Sequence, residues 1–209
     1  MNKQLPKVLF LANIPSPYRV EFFNALSRDC DLTVLYQLHS SAERDKQWTA
    51  QASSTYRQVF LRGQATAVDK AFCPGVTAWL KKGWDAIFIS GNTSPTELWA
   101  IAWCKLHRVP YCLEADGGFA GSGSGPKEWI KHRAVGNARV YLSTCRGLDQ
   151  YFLHYGADPE RIRRYRFSSL TEKDILPRCL TREEKQTIRQ ALGIREERMI
   201  LTVGQFIPR

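Results

Sequence analysis

The chain has 209 residues, 44% of them hydrophobic and 24% charged. That balance excludes a disordered tail, which could not bury enough apolar surface to offset chain entropy, and no apolar run approaches the ~20 residues needed to cross a bilayer. The formal net charge of +10 keeps three anionic partners in view: nucleic acid, an anionic membrane surface and a phosphorylated substrate.

Taken in chain order, the apolar segments alternate in type. Lys3 and Lys7 before Val8-Leu-Phe-Leu-Ala12 have the outline of a short signal peptide. The apolar run is only ~7 residues, however, and no A-x-A-like site follows it, so a first buried strand fits better. Strands are expected over 7–12, 31–37, 56–62, 85–90, 110–115, 138–143 and 162–167. Several are short and continuously apolar, as strands covered on both faces should be. Helical periodicity fills the gaps: Tyr18, Phe22, Phe23 and Leu26 share one face of 17–28, Leu98, Ile101, Ala102 and Leu106 one face of 95–107, and Leu148, Tyr151, Phe152 and Tyr155 one face of 144–155. Strand–helix–strand repetition predicts an α/β fold with a Rossmann-like, doubly wound parallel sheet.

Helix starts are legible. Ser94-Pro-Thr-Glu97 offers an N-cap, a proline at the first helical position and a glutamate at the third, the makings of a capping box. Ser16-Pro17 and Gly125-Pro126 repeat the cap-then-proline pattern, and Thr181-Arg-Glu-Glu184 opens a further helix closed by Gly193. Gly117-Gly-Phe-Ala-Gly-Ser-Gly-Ser-Gly125 is the one low-complexity stretch; a mobile substrate loop and an engineered Gly/Ser splice both fit it. Residues 168–181 break the alternation like a linker. Beyond them a helix and the apolar run from Met199 to Gly204 read as the start of a second α/β domain, cut short. The expected division is therefore 1–167 for the first domain, 168–181 for the linker and 182–209 for the first helix and strand of the second.

The six cysteines form no C-x-x-C pair and no histidine sits at ligand spacing from them, so no metal site is expected. Several lie in apolar segments and behave as small hydrophobes, which suits a reducing, cytoplasmic setting. The charge is uneven: residues 1–104 hold 11 Lys and Arg against 8 Asp and Glu, and residues 105–209 hold 19 against 12. The densest cluster is Arg161-Ile-Arg163-Arg164-Tyr-Arg166. It is accompanied by no recognition helix, RNP-like aromatic pattern or zinc finger, and nucleic acid is not an expected partner.

In an open parallel sheet, ligands bind beyond the carboxyl ends of the strands, where strand order reverses. With the first strand central, the loops 13–19, 91–94 and 114–118 face that crevice. They nominate Asn13, Ser16, Pro17, Tyr18 and Arg19, then Gly91, Asn92 and Thr93, then Glu114, Gly117 and Gly118 as substrate-binding residues. Helix N-termini at Pro17 and Pro95 would aim N–H groups at an anion there. Glu114 and Asp116, two apart at a strand end, point to one face and could bind sugar hydroxyls or do acid–base work; Asp116 also suits the turn at Asp116-Gly-Gly118. No G-x-G-x-x-G follows the first strand and the glycine-rich loop ends in Gly125-Pro-Lys127, so neither a dinucleotide fingerprint nor a P-loop is present. No histidine has triad spacing.

These residues carry a resemblance. Lys7-Val-Leu-Phe-Leu-Ala-Asn-Ile-Pro-Ser-Pro-Tyr-Arg19 and the following Val-Glu-Phe-Phe-Asn-Ala-Leu26 resemble the opening of bacterial family 4 glycosyltransferases of the GT-B fold. Arg166-Phe-Ser-Ser-Leu-Thr-Glu-Lys-Asp174 is similar to their interdomain segment. Residues 183–209, ending Ile200-Leu-Thr-Val-Gly204-Gln-Phe-Ile-Pro-Arg209, are similar to the helix and first strand of their donor-binding domain.

The resemblance implies two facing Rossmann-like domains, acceptor on the first and nucleotide-sugar on the second. It implies a retaining, metal-independent and cofactor-free hexosyl transfer to a polysaccharide or lipid-linked acceptor. Asp116 stands where relatives place a catalytic His or Asp near the transferred sugar, and Gly204, Gln205 and Arg209 fall on the donor-phosphate side, Gln205 where relatives often have Arg. Most of the donor site would then lie beyond Arg209, and this fragment alone is expected to be inactive. The basic surface suits a peripheral position at the inner face of the plasma membrane. A sugar-nucleotide epimerase of the same architecture and a non-catalytic glycan- or phosphate-binding module are the alternatives.

Overall fold

A computed structural model describes residues 4–40, 54–121, 123–166, 168, 170 and 172–202. The chain divides into two compact units, 1–169 and 170–209.

In the first unit, β1 (Lys7–Ala12), α1 (Pro17–Leu26), β2 (Asp31–Tyr36) and β3 (Arg57–Phe60) are followed by a hairpin of β4 (Gln64–Ala67) and β5 (Lys70–Phe72). Then come α2 (Val76–Leu80), β6 (Ala86–Ser90), α3 (Pro95–Leu106), β7 (Cys112–Glu114), α4 (Pro126–Val135), β8 (Val140–Ser143), α5 (Arg146–His154) and β9 (Ile162–Arg164). Seven strands form one sheet in the order β3-β2-β1-β6-β7-β8-β9, every neighbouring pair parallel. The first strand is central, and the order reverses between β1 and β6.

The continuous apolar runs have a simple cause: both faces of the sheet are covered. In β1, Val8, Phe10 and Ala12 point to the α1 side, where they meet Val20, Phe23, Leu32, Val34 and Tyr36. Leu9 and Leu11 point to the other side and join a core built with Val76, Ile101, Val135 and Phe152 from α2, α3, α4 and α5. The α1 side is aromatic. Phe10 stacks on Phe88 across the β1–β6 register at 4.7 Å, and Phe23 of α1 meets Phe10 edge-on at 5.0 Å and Tyr56 at 5.6 Å. The Tyr36 and Tyr56 hydroxyls share a buried hydrogen bond of 2.7 Å.

Several features of the first unit differ from the sequence-based expectation. The β4–β5 hairpin and α2 were not predicted: Gln64–Ala67 is exposed throughout and has only two alanines as apolar residues, and α2 is too short to show a helical period. Of the strands expected over 110–115 and 162–167, the structure forms Cys112–Glu114 and Ile162–Arg164, Pro110 having no N–H to give a ladder; residue 167 lies outside the described residues. Ser16 takes the N-cap position of α1 with Pro17 at the first turn, but its side chain makes no capping bond. At α3 and α6 (Arg182–Ala191) the capping boxes of Ser94 with Glu97 and of Thr181 with Glu184 are complete.

In the second unit, Arg178 grips Glu184 through both guanidinium nitrogens at 2.8 and 2.6 Å, and Gly193 ends α6 at φ +69°. The fresh strand expected from Met199 is not formed over 199–202. A strand needs a neighbour for its N–H and C=O groups, the described part of this unit supplies none, and Ile200 is 96% exposed. Residues 203 and 204 of that expected strand lie outside the described residues.

Phe23 is fully buried between α1 and the sheet. Phe23→Ala is expected to cost about 3–5 kcal/mol of unfolding free energy, measured by urea denaturation. A loss below about 1 kcal/mol would mean that aromatic packing does not clamp α1.

Candidate functional site

Strand order reverses between β1 and β6, and in an open parallel sheet such a reversal places a crevice at the carboxyl ends of the strands. Four elements converge beneath it on one buried ion pair. Arg19 lies in the first turn of α1 on its inward face, with the guanidinium carbon 5.9 and 5.6 Å from the rings of Phe22 and Phe23. It meets the last residue of β7 bidentately: Nη1 donates to Glu114 Oε1 at 3.1 Å and Nη2 to Oε2 at 2.5 Å. Arg19 Nη2 also donates to Ser90 Oγ at 2.8 Å, Ser90 Oγ to Glu114 Oε2 at 2.5 Å, and the Tyr165 hydroxyl to Glu114 Oε1 at 2.5 Å. The two charged side chains are 7% and 1% exposed.

Burial by itself drives the Glu114 carboxyl up, but Arg19, Ser90 and Tyr165 together outweigh it and hold the group below the usual value of 4.5. Burial likewise opposes the Arg19 charge, and Glu114 reverses the balance, with a further contribution from the charge of Asp116. The Tyr165 phenol is pushed up by burial and then by Glu114. At neutral pH the cluster is a carboxylate, a guanidinium and two neutral hydroxyls.

Beside it the β6–α3 loop is fixed by Glu97. Its Oε2 accepts the N–H groups of Thr93 and Ser94 at 2.8 and 2.9 Å. Gln37, just after β2, donates to Glu97 Oε1 at 3.0 Å and accepts from Ser94 Oγ at 2.8 Å. Gly91 turns the chain at φ +106°, where a Cβ would lie 2.8 Å from Glu97 Oε2. The N–H groups expected to face an anion from the start of α3 are thus taken by its own cap at Thr93, Ser94 and Glu97.

The structure brings the nominated residues to one end of the sheet and gives them different environments. Asn13 shapes its loop, its Oδ1 accepting the Ile14 N–H at 2.8 Å. Ser16 is buried, Tyr18 half-buried, and Pro17 and Thr93 exposed. Asn92 is buried and bonds the Tyr151 hydroxyl of α5 at 2.9 Å. Gly117 is open, while Gly118 lies against the Tyr151 ring, 3.2 Å from where a Cβ would stand. Glu114 and Arg19, both nominated as substrate-binding, bind each other. Asp116, two residues on, is exposed and makes no side-chain hydrogen bond or ion pair with any described residue. Gly204, Gln205 and Arg209 lie outside the described residues.

The glycine-rich segment is tied down at a second point. Gly121 N–H donates to the Tyr155 hydroxyl at 3.0 Å, and that hydroxyl donates to Glu128 Oε2 at 2.5 Å. A Cβ on Gly121 would stand 2.9 Å from Glu128 Oε1. Of its glycines, Gly118 and Gly121 answer to close contacts within the fold, whereas Gly117 and Gly125 have open space where a Cβ would stand. Ser90, Gln37, Tyr151, Tyr155 and Tyr165 were not nominated from the sequence. Ser90 had a signal, as the last residue of a central strand; the tyrosines read only as core or as part of a basic stretch. No group of three or more His, Cys, Asp or Glu that could hold a metal ion occurs among the described residues, and all six cysteines are free.

Residues 15–166 match the family model of the glycosyl transferase 4-like domain. The chain belongs to that family. Its fold is shared with Anabaena HepE, solved with UDP (TM-score 0.59, 13% identity) and with UDP and glucose (TM-score 0.56, 12% identity), each match covering 90% of this chain and 50% of that one. It is also similar to UDP-N-acetylglucosamine 2-epimerase from Rickettsia bellii (TM-score 0.50, 11% identity, 79% of this chain and 45% of that one). The chain spans about half the length of these solved chains. No curated protein sequence matches it.

Removing one partner of a buried pair strands the other charge, so Arg19→Met and Glu114→Leu are each expected to cost about 3–5 kcal/mol. The double variant should lose less than the two singles together, by at least ~1 kcal/mol; additive losses would show that the pair is not coupled.

The pH dependence follows from the same pair. Because the Glu114 pKa is lowered on folding, its contribution is complete above the usual 4.5 and is lost as pH falls through the folded value. Urea midpoints from pH 7 downward should drop on the acid side in the parent chain. The double variant should show a smaller drop.

Proposed function

We propose that this chain is the acceptor-binding half of a glycosyltransferase that moves a sugar from a nucleotide-sugar to a polysaccharide or lipid-linked acceptor, with retention and without a metal. The family match over residues 15–166 carries the reading, and the crevice at the β1–β6 reversal gives it a place. In that crevice Glu114 is neutralised and sealed beneath the floor, and Asp116 is the carboxylate that remains open. We assign Asp116 the contact with the reacting sugars, accepting a hydrogen bond or a proton from a hydroxyl. Asn13, Gly91, Asn92, Gly117 and Gly118 shape the wall against which the acceptor lies.

Transfer needs a departing diphosphate to be stabilised and water to be excluded. Both requirements fall to a second domain closing over this one, with Gly204, Gln205 and Arg209 on the diphosphate side. UDP in the HepE structures makes UDP-sugars the first donors to screen. Likeness to the Rickettsia bellii epimerase supports a second reading, in which the nucleotide-sugar is isomerised with no acceptor.

The two readings separate in one assay of the full-length parent protein. A transferase releases nucleoside diphosphate only when acceptor is supplied; an epimerase converts the sugar without it. Asp116→Asn in that protein should lower kcat at least ~100-fold without moving the urea midpoint, since the side chain is exposed. The 209-residue chain alone should show no turnover. Unchanged kcat in the variant would remove Asp116 from the reaction, and robust turnover by the fragment would overturn the half-site reading.

A further inference from the structure

The helical side α3–α4 and the amino ends of β7, β8 and β9 carry two adjoining depressions, away from the crevice. One is a groove of about 470 Å³ between α3 and α4, whose apolar lining includes Leu98, Ile101, Leu106, Trp129 and Ile130. Leu106 is 79% exposed, Trp129 64% and Ile130 42%. Lys105 and Arg133 rim it, the Arg133 guanidinium 5.8 Å from the Trp129 ring.

The other is a recess of about 720 Å³ that shares Lys105 and adds Arg108, Arg139 and Arg161. Among the described residues, no carboxylate lines either depression. Asp158 pairs with Arg161 at 3.2 Å, but Arg108 and Arg139 make no ion pair or side-chain hydrogen bond with any described residue. The Lys105 ammonium donates to the Arg133 carbonyl, a neutral acceptor, and burial and then the charge of Arg133 lower its pKa, so among the described residues no carboxylate balances this cation.

We propose that this face docks on the surface of an anionic phospholipid bilayer, with Leu106, Trp129 and Ile130 entering the acyl boundary and Arg108, Arg139 and Lys105 meeting lipid phosphates. The juxtaposition selects this occupant. A soluble phosphate would use the recess and have no need of the groove. An apolar protein partner would use the groove and leave uncompensated cations beside it. An exposed tryptophan beside cations suits the boundary between headgroups and chains. No helix among the described residues is long and apolar enough to cross a membrane, and contact of this kind needs none. Net charge alone only put anionic surfaces in view; the structure adds an apolar groove that a purely electrostatic partner would not require. The proposal goes beyond the transferase reading and stands apart from it, because vesicles report it without turnover.

The test is co-sedimentation of the 209-residue chain with vesicles of phosphatidylcholine alone or mixed equally with phosphatidylglycerol. The chain should pellet with the mixed vesicles and stay in solution with the neutral ones. Arg108→Glu with Arg139→Glu should weaken binding roughly tenfold or more, and Trp129→Ala should weaken it severalfold; circular dichroism confirms that the variants fold. Arg28→Glu with Arg62→Glu, an equal charge change at exposed residues after α1 and after the edge strand β3, away from α3 and α4, should bind like the parent. Four results would each overturn the proposal: equal pelleting with both vesicle types, equal loss in the control pair, displacement by millimolar pyrophosphate at constant ionic strength, or a dimer in sedimentation velocity that Trp129→Ala dissolves.

Discussion

The buried pair of Arg19 and Glu114 is the constraint on which the crevice depends. A guanidinium and a carboxylate cannot be taken out of water unless each satisfies the other and the remaining lone pairs and protons find partners. Here those partners are Ser90 at the end of β6 and Tyr165 just after β9. Satisfying one ion pair therefore fixes the relative positions of α1, β6, β7 and the chain leaving β9. Hydrophobic burial would hold these elements together without specifying their register so narrowly. The charged pair sits where specification matters, under the floor of the site.

That arrangement also divides the labour of two carboxylates separated by one residue. Glu114 is the last residue of β7, inside the sheet layer, and its charge is spent on structure. Asp116 lies past the strand end, exposed, its charge felt by Arg19 without a direct bond. Arg19 takes up the charge of Glu114 within the fold, while Asp116 stays exposed and unbonded to any described side chain. Spacing in the sequence put the pair on one face but could not say which of them the fold would consume, because the answer depends on an arginine 95 positions away.

Much of the architecture was legible for a physical reason. Strands covered on both faces must be continuously apolar, and runs such as Val8-Leu-Phe-Leu-Ala12 and Ala86-Ile-Phe-Ile89 stand out against the amphipathic helices between them. The capping boxes at Ser94 and Thr181 are local, so four consecutive residues disclose them. What stayed hidden was either short and exposed, like Gln64–Ala67, or non-local. Gln37 reaches Glu97 and Asn92 reaches Tyr151 across 60 and 59 positions, and no spacing rule announces such contacts. Over Met199–Thr202 an apolar run with strand propensity stands without a neighbouring strand among the described residues, and a strand is a property of a ladder.

The glycine-rich segment joins these levels. By composition it was either flexible or artificial, and neither account explains the particular positions of its glycines. Gly118 accommodates the Tyr151 ring and Gly121 the Glu128 carboxylate, while the Tyr155 hydroxyl takes the Gly121 N–H and passes its own proton bond to Glu128. Tyr151 and Tyr155 lie one turn apart along α5, so a single helix face supports the loop at two points. Tyr151 at the same time holds Asn92 on the opposite wall. The crevice is thus framed by a helix that the sequence presented only as an apolar stripe. Its tyrosines supply both the apolar body that fills the core and the hydroxyls that anchor the loops, a double use that follows from an aromatic ring carrying a polar tip.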